Sequence, residues 1–121
     1  MSADPYSAQV RELFAAPAHA GDIAGGEVVS LSDQDVRLRL SGSATGGTVD
    51  AMRFRAWGCP HVIAAAEAVC SALEGRPLTD LENYAVADVM QNLAVPVEKT
   101  GRILVIEDAV RSLGQRFRDR T

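Results

Sequence analysis

Aromatic side chains are scarce, at 5% of 121 residues. Packing must therefore rest on Ala, Val, Ile and Leu, each of which buries less apolar surface than an aromatic ring. No apolar stretch approaches the roughly 20 residues that cross a bilayer. The segment Met1 to Tyr6 also lacks the basic and apolar regions of a signal peptide. A cytoplasmic protein with no membrane span is expected. Excess positive charge is missing too: the net charge of −4 opposes general binding to nucleic acid or an anionic membrane, because both surfaces repel it on average. Arginines at 37, 39, 53 and 55, and again at 111, 116, 118 and 120, read as solvated faces that keep the protein soluble.

Cysteine is limited to Cys59 and Cys70, with no Cys-x-x-Cys, and His19 and His61 with scattered acids make no zinc pattern. The stretch Gly42 to Gly47 has no following Lys-Ser or Lys-Thr and leads into a strand, which excludes a phosphate-binding loop. A nucleophile elbow is absent as well. The two cysteines bracket one expected helix, and at about 1.5 Å of rise per residue their separation exceeds disulfide reach, so both are expected as free thiols in a reducing compartment.

What is present suits one globular domain spanning residues 1–121, with 47% hydrophobic and 23% charged residues. Tyr6, Val10 and Leu13 form the stripe of a short helix that Pro17 ends, and Ala15 to Gly26 reads as a loop. Three strands follow at Glu27–Leu31, Val36–Leu40 and Met52–Ala56, the last two in clean alternation, with Ser41 to Thr48 as the hairpin connection. From Pro60 to Glu74 the period changes to 3.6, with Val62, Ala66, Val69 and Leu73 in one stripe and Gly75 closing the helix. Thr79 and Glu82 fit a capping box for a short helix, and Leu93 to Glu98 interrupts before a last helix over Gly101–Arg118. That helix carries the stripe Ile103, Ile106, Val110, Leu113 and Phe117. The order predicts an α+β fold, a three-stranded antiparallel sheet with helices packed on one face.

Gly58-Cys59-Pro60-His61 lies where a strand gives way to a helix. Pro60 suits the first helical position, which puts Cys59 at the N-cap, beside unsatisfied N–H groups that favour thiolate over thiol. A thiolate attacks a persulfide or binds iron. Gly58 lets the backbone turn sharply there. His61 is a candidate to support that thiolate or ligate a metal. The bland alternative makes Cys59 a small buried residue and His61 a surface one. Cys70, two turns into an apolar helix, reads as core packing.

Four segments taken together resemble the NifU/IscU family of iron-sulfur cluster scaffolds. Tyr6 to Gly21 is similar to the family's opening helix and Asn-Pro-Arg-Asn-x-Gly loop, through Pro17 and Gly21. Phe54, Gly58, Cys59, Ile63 and Ala64 match its Phe-Lys-x-x-Gly-Cys-x-x-x-Ile-Ala signature. Gly75, Arg76 and Leu78 resemble its Gly-Lys-x-Leu turn. Lys99, Asp108 and Ala109 match the segment Leu-Pro-Pro-x-Lys-x-His-Cys-Ser-x-Leu-x-x-Asp-Ala. The departures are equally specific. Ser32-Asp33-Gln34-Asp35 stands where the family has Cys-Gly-Asp, and Gly101-Arg102 stands where it has His-Cys, so Cys59 alone remains of three cluster-facing cysteines.

The resemblance implies a protein of iron-sulfur cluster assembly, not an enzyme, with Cys59 as sulfur acceptor, cluster ligand or metal ligand. It implies Gly58, His61, Asp33, Asp35 and Arg102 as supporting residues. Arg102 is expected near the Cys59 sulfur, in the place of the third cysteine. Iron or an iron-sulfur cluster is the implied cofactor, although one cysteine does not hold a stable cluster within a monomer. The implied partners are a cysteine desulfurase and an Hsp70-type chaperone, the latter docking on Val95, Pro96, Val97, Glu98 and Lys99. The chain is expected as a monomer or weak dimer. Two alternatives stand beside this: a degenerate paralogue that only binds assembly partners, and a thiol-dependent enzyme using Cys59 and His61.

Overall fold

The computed structural model describes residues 6–120. Helix α1 (Ala8–Ala15) is followed by strands β1 (Glu27–Asp33), β2 (Val36–Thr45) and β3 (Thr48–Trp57), and then by α2 (Pro60–Leu73), α3 (Thr79–Glu82), α4 (Ala87–Asn92), a 3-10 turn at Val97–Lys99, and α5 (Thr100–Asp119). The strands form one antiparallel sheet in the order β1-β2-β3. Its apolar face carries Val29, Val36, Leu38, Leu40, Met52 and Phe54, all buried, and packs against α2 and α5. This is the α+β architecture expected from the periodicities.

The hairpin between β2 and β3 is tighter than the glycine-rich composition suggested. Both strands run through most of Ser41 to Thr48, and only Gly46 and Gly47 turn the chain, with φ of +61° and +81°. Two residues of positive φ make a turn whose twist matches that of the paired strands. The register shifts between Ser43 and Ala44, which leaves Asp50 as an extra residue in β3. That bulge explains why Val49 and Met52, three positions apart, both reach the core.

Ser7 caps α1 by accepting from the Val10 N–H at 3.2 Å. The expected capping box of α3 does not form: Leu78, not Thr79, is its N-cap, and no side chain caps it. Helix α4 has no buried residue of its own and left no apolar stripe to read. Helix α5 lies along β1 and β2, and Gly114 allows its close approach to α3, since a Cβ there would stand 2.8 Å from that of Leu81.

Candidate functional site

The end of β3 and the start of α2 place Cys59. It is the N-cap of α2 in extended conformation, φ −75° and ψ 166°, with Pro60 opening the helix, and its carbonyl accepts from the Val62 N–H at 3.0 Å. Gly58 precedes it, and a Cβ there would press within 3.3 Å of Val62, so the turn into the helix leaves little room for a side chain. The thiol is partly exposed. Burial of the sulfur raises its pKa, but the N–H groups of Val62 and His61, the Arg102 guanidinium and the Lys99 ammonium together bring it below the ordinary thiol value.

Arg102, in the first turn of α5, is near enough for its guanidinium to act on the sulfur of Cys59. Lys99 ends the 3-10 turn just before that helix, and its ammonium lies 5.7 Å from the centroid of the Tyr6 ring. Asp33 ends β1 and Asp35 lies in the β1–β2 turn, where Gln34 and Asp35 adopt φ of +52° and +62°. With Ser32, Arg37, Trp57 and Gly58 they line a cavity of about 400 Å³.

His61 is not the surface residue of the bland alternative. Its ring is 1% exposed, and neither ring nitrogen has a hydrogen-bond partner among the described residues. It tilts against Tyr6, ring centroids 4.8 Å apart. Burial, with Lys99 nearby, lowers its pKa below the ordinary value and favours the neutral ring. Its ring is not on the surface, and what reaches Cys59 from this residue is the backbone N–H. Position N2 of α2 points it inward under the first helix, a placement the local sequence could not distinguish from an outward one.

Val95 to Lys99 leaves α4 through Ala94, whose φ is +53°. Val97 is 83% exposed and Glu98 is exposed, whereas Val95, Pro96 and Lys99 are partly buried. Cys70 is fully buried in α2, and burial pushes its pKa far above that of an ordinary thiol.

The sequence matches the NifU-like N terminal domain over residues 5–121. The chain belongs to that family. Among solved structures, the NifU-like protein (N-terminal) from Brucella abortus superposes with a TM-score of 0.76 over 95% of both chains at 12% identity. A protein from thermophilic Fervidobacterium islandicum AW-1, assigned as an iron-sulfur cluster assembly scaffold for the SUF system, gives 0.56 over 87% of this chain and 81% of its own at 16% identity. These likenesses concern the fold. A curated relative, the mitochondrial iron sulfur cluster assembly protein 1 of Eremothecium gossypii, is 22% identical over 85 residues. The match covers 70% of this chain and 55% of that protein, so the NifU-like domain spans little more than half of it.

Within this NifU-like domain the donor set at Cys59 does not fit a 2Fe-2S cluster as cargo. Such a cluster takes four ligands, usually thiolates. Among the described residues no three His, Cys, Asp or Glu side chains come together as a metal-binding group. Two contributors escaped the sequence reading. Trp57, 59% exposed beside Gly58, lies opposite in phase to Met52, Phe54 and Ala56, so carrying the alternation one residue past Ala56 is the signal that finds it on the outer face. Lys99 was placed in a docking loop, yet its charge also acts on Cys59. That proximity arises from the packing of α5 and left no local signal.

Proposed function

We propose that this NifU-like domain serves iron-sulfur cluster assembly as a sulfur acceptor, with Cys59 receiving the sulfur. The observation that carries the reading is a partly exposed thiol with a lowered pKa, set at a helix N-cap where the Arg102 guanidinium acts on it. The family and the Eremothecium gossypii relative support the process. In the transfer, the Cys59 thiolate attacks the outer sulfur of a donor persulfide. A new S–S bond forms on Cys59, the donor's S–S bond breaks, and the donor leaves as thiolate, with no net oxidation. Arg102 and Lys99 stabilise the anionic forms before and after transfer, as fixed positive charges beside a developing negative one do.

A cysteine desulfurase is the proposed donor, in a reducing compartment such as the cytoplasm. Incubated with a desulfurase and free cysteine, the wild type should gain one sulfur atom by intact mass, released by a reductant, and Cys59→Ser should gain none. Loading of Cys59→Ser to the wild-type level, or none on the wild type, overturns the proposal.

This reading makes the domain a carrier and not an enzyme. Among the described residues no three-ligand group forms at Cys59, which favours a second reading, a module that binds assembly partners without building a cluster. For an Hsp70-type chaperone, the exposed Val97 and Glu98 offer the contact. A peptide spanning residues 93–100 should bind the chaperone in a fluorescence-anisotropy titration, and binding that survives Val97→Asp unchanged removes the segment as the contact.

A further inference from the structure

His19 stands away from Cys59 in the chain between α1 and β1, and is held on three sides. Its backbone N–H donates to Oε1 of Glu67 at 2.7 Å, Nδ1 lies 2.5 Å from Oε2 of the same carboxylate, and Nε2 lies 2.9 Å from Oε1 of Glu74. Glu67 and Glu74 both come from the helix side, Glu67 within α2 and Glu74 at its C-cap. The second oxygen of Glu74 accepts from the Met52 N–H at 2.9 Å and from Arg53 Nη1 at 2.7 Å, which ties the group to β3. A carboxylate oxygen only accepts, so a ring nitrogen facing each carboxylate must carry a proton on both sides. Two ionised carboxylates in this geometry call for an imidazolium. A neutral ring would turn one lone pair against a carboxylate oxygen.

The backbone around His19 covers the outer edge of β3. The Phe54 N–H donates to the His19 carbonyl at 2.9 Å, and the Gly21 N–H donates to the Phe54 carbonyl at 2.8 Å, making a parallel bridge between Ala20 and Phe54. One residue further on, Asp22 pairs with Arg55 at 2.5 Å and Arg39 at 3.1 Å on the solvated face. The strand so covered leads directly to Trp57, Gly58 and Cys59.

We infer that residues 19–21 are a pH-sensitive latch: charged His19, clamped between Glu67 and Glu74, holds this segment against β3, and loss of its proton releases the strand edge at Phe54. The inference is independent of the function proposed for Cys59. An unpaired strand edge is a template for another extended segment, so release changes what β3 can bind.

Among the described residues, the charged groups acting on His19 are Glu67 in α2 and Glu74 at its C-cap, and Arg53 from β3 pairs in turn with Glu74. Cys70 lies between the two glutamates along the helix, and burial keeps its thiol protonated. Burial opposes the charge on His19, but hydrogen bonds and attraction to Glu67 and Glu74 outweigh it and raise the pKa above the usual 6.5. Burial also opposes the charge on Glu74, but the Met52 N–H, His19 and Arg53 outweigh it and lower the pKa below 4.5. The His19 contribution is complete below 6.5 and is lost as pH rises through the raised folded value. The Glu74 contribution is complete above 4.5 and is lost as pH falls through the lowered one. Between those limits the latch is shut, and it opens on the alkaline side.

Nitrogen NMR of the imidazole and hydrogen exchange of single amides, both on the whole chain, test this. At about pH 6 both ring nitrogens of His19 should be protonated, and between about pH 6 and about pH 9 the protection of the Gly21 and Phe54 amides, corrected for the intrinsic rate, should fall about tenfold while that of central β2 amides holds. In His19→Gln the pH dependence should disappear. A singly protonated ring at about pH 6 overturns the inference, as does protection at Gly21 and Phe54 that is flat with pH or tracks β2. Should His19→Gln fail to fold, the wild-type measurements alone decide.

Discussion

Iodoacetamide added to native protein near neutral pH should modify Cys59 at least about a hundredfold faster than Cys70. The two thiols have the same chemistry and opposite surroundings. Cys59 is partly exposed at the N-cap of α2, where the Val62 and His61 N–H groups, Arg102 and Lys99 outweigh burial and lower its pKa. Cys70 is fully buried in the middle of α2, and burial raises its pKa. It reacts only when α2 opens away from β3, and an opening free energy of about 3 kcal/mol already implies about a hundredfold protection. The two should also differ in pH dependence. The Cys59 rate follows its thiolate fraction and should level off below the ordinary thiol value of 9.0, because the folded protein favours the anion. Mass spectrometry of peptides after timed quenching measures both rates. Equal labelling, or a Cys59 rate still rising steeply above pH 9.0, contradicts the assigned environment.

The fold was legible wherever burial imposed a period. Alternation at Val36–Leu40 and Met52–Ala56, and the 3.6-residue stripes in α2 and α5, each reflect one face against the core, and those elements lie where expected. Legibility failed where nothing was buried in a regular pattern. Helix α4 buries no residue, and where β2 ends and β3 begins the chain is rich in Gly, Ser and Thr and carries a bulge that breaks the alternation. The same division runs through the site. Cys59 was readable because Gly before it and Pro after it define a turn into a helix, which is local chemistry. The Arg102 position came from counting along a family pattern. The inward rotation of His61, the charge of Lys99 at the sulfur and the clamp of His19 by Glu67 and Glu74 depend on elements that meet only in three dimensions. His19 and Glu74 are 55 residues apart in sequence, and no spacing rule connects them.

Arg102→Cys should increase the amount of 2Fe-2S cluster that the domain retains, whereas the wild-type monomer should keep less than about a tenth of an equivalent through desalting. The wild type offers one thiolate to a cluster that takes four ligands, and Arg102, whose guanidinium acts on that thiolate, carries only donors and no lone pair for iron. Its charge also repels cationic iron while favouring the free thiolate or a persulfide. The substitution removes the cation and supplies a second thiolate in the same place, so two effects must be separated. Arg102→Leu removes the charge without adding a ligand. It should leave cluster retention near the wild-type level and slow alkylation of Cys59 about threefold or more near neutral pH, because the thiolate loses a stabilising partner. Ser32 lines the cavity that also reaches Gly58, so a second substitution, Ser32→Cys, should add to the effect of Arg102→Cys by bringing a third thiolate to that side. Anaerobic reconstitution with ferrous iron and sulfide, followed by desalting, visible absorption and iron and sulfide analysis, gives the retained amount. Wild-type monomer that keeps a full cluster would show that the donors at Cys59 suffice. Equal gains in Arg102→Leu and Arg102→Cys would show that charge, and not the number of thiolates, controls what this site can hold.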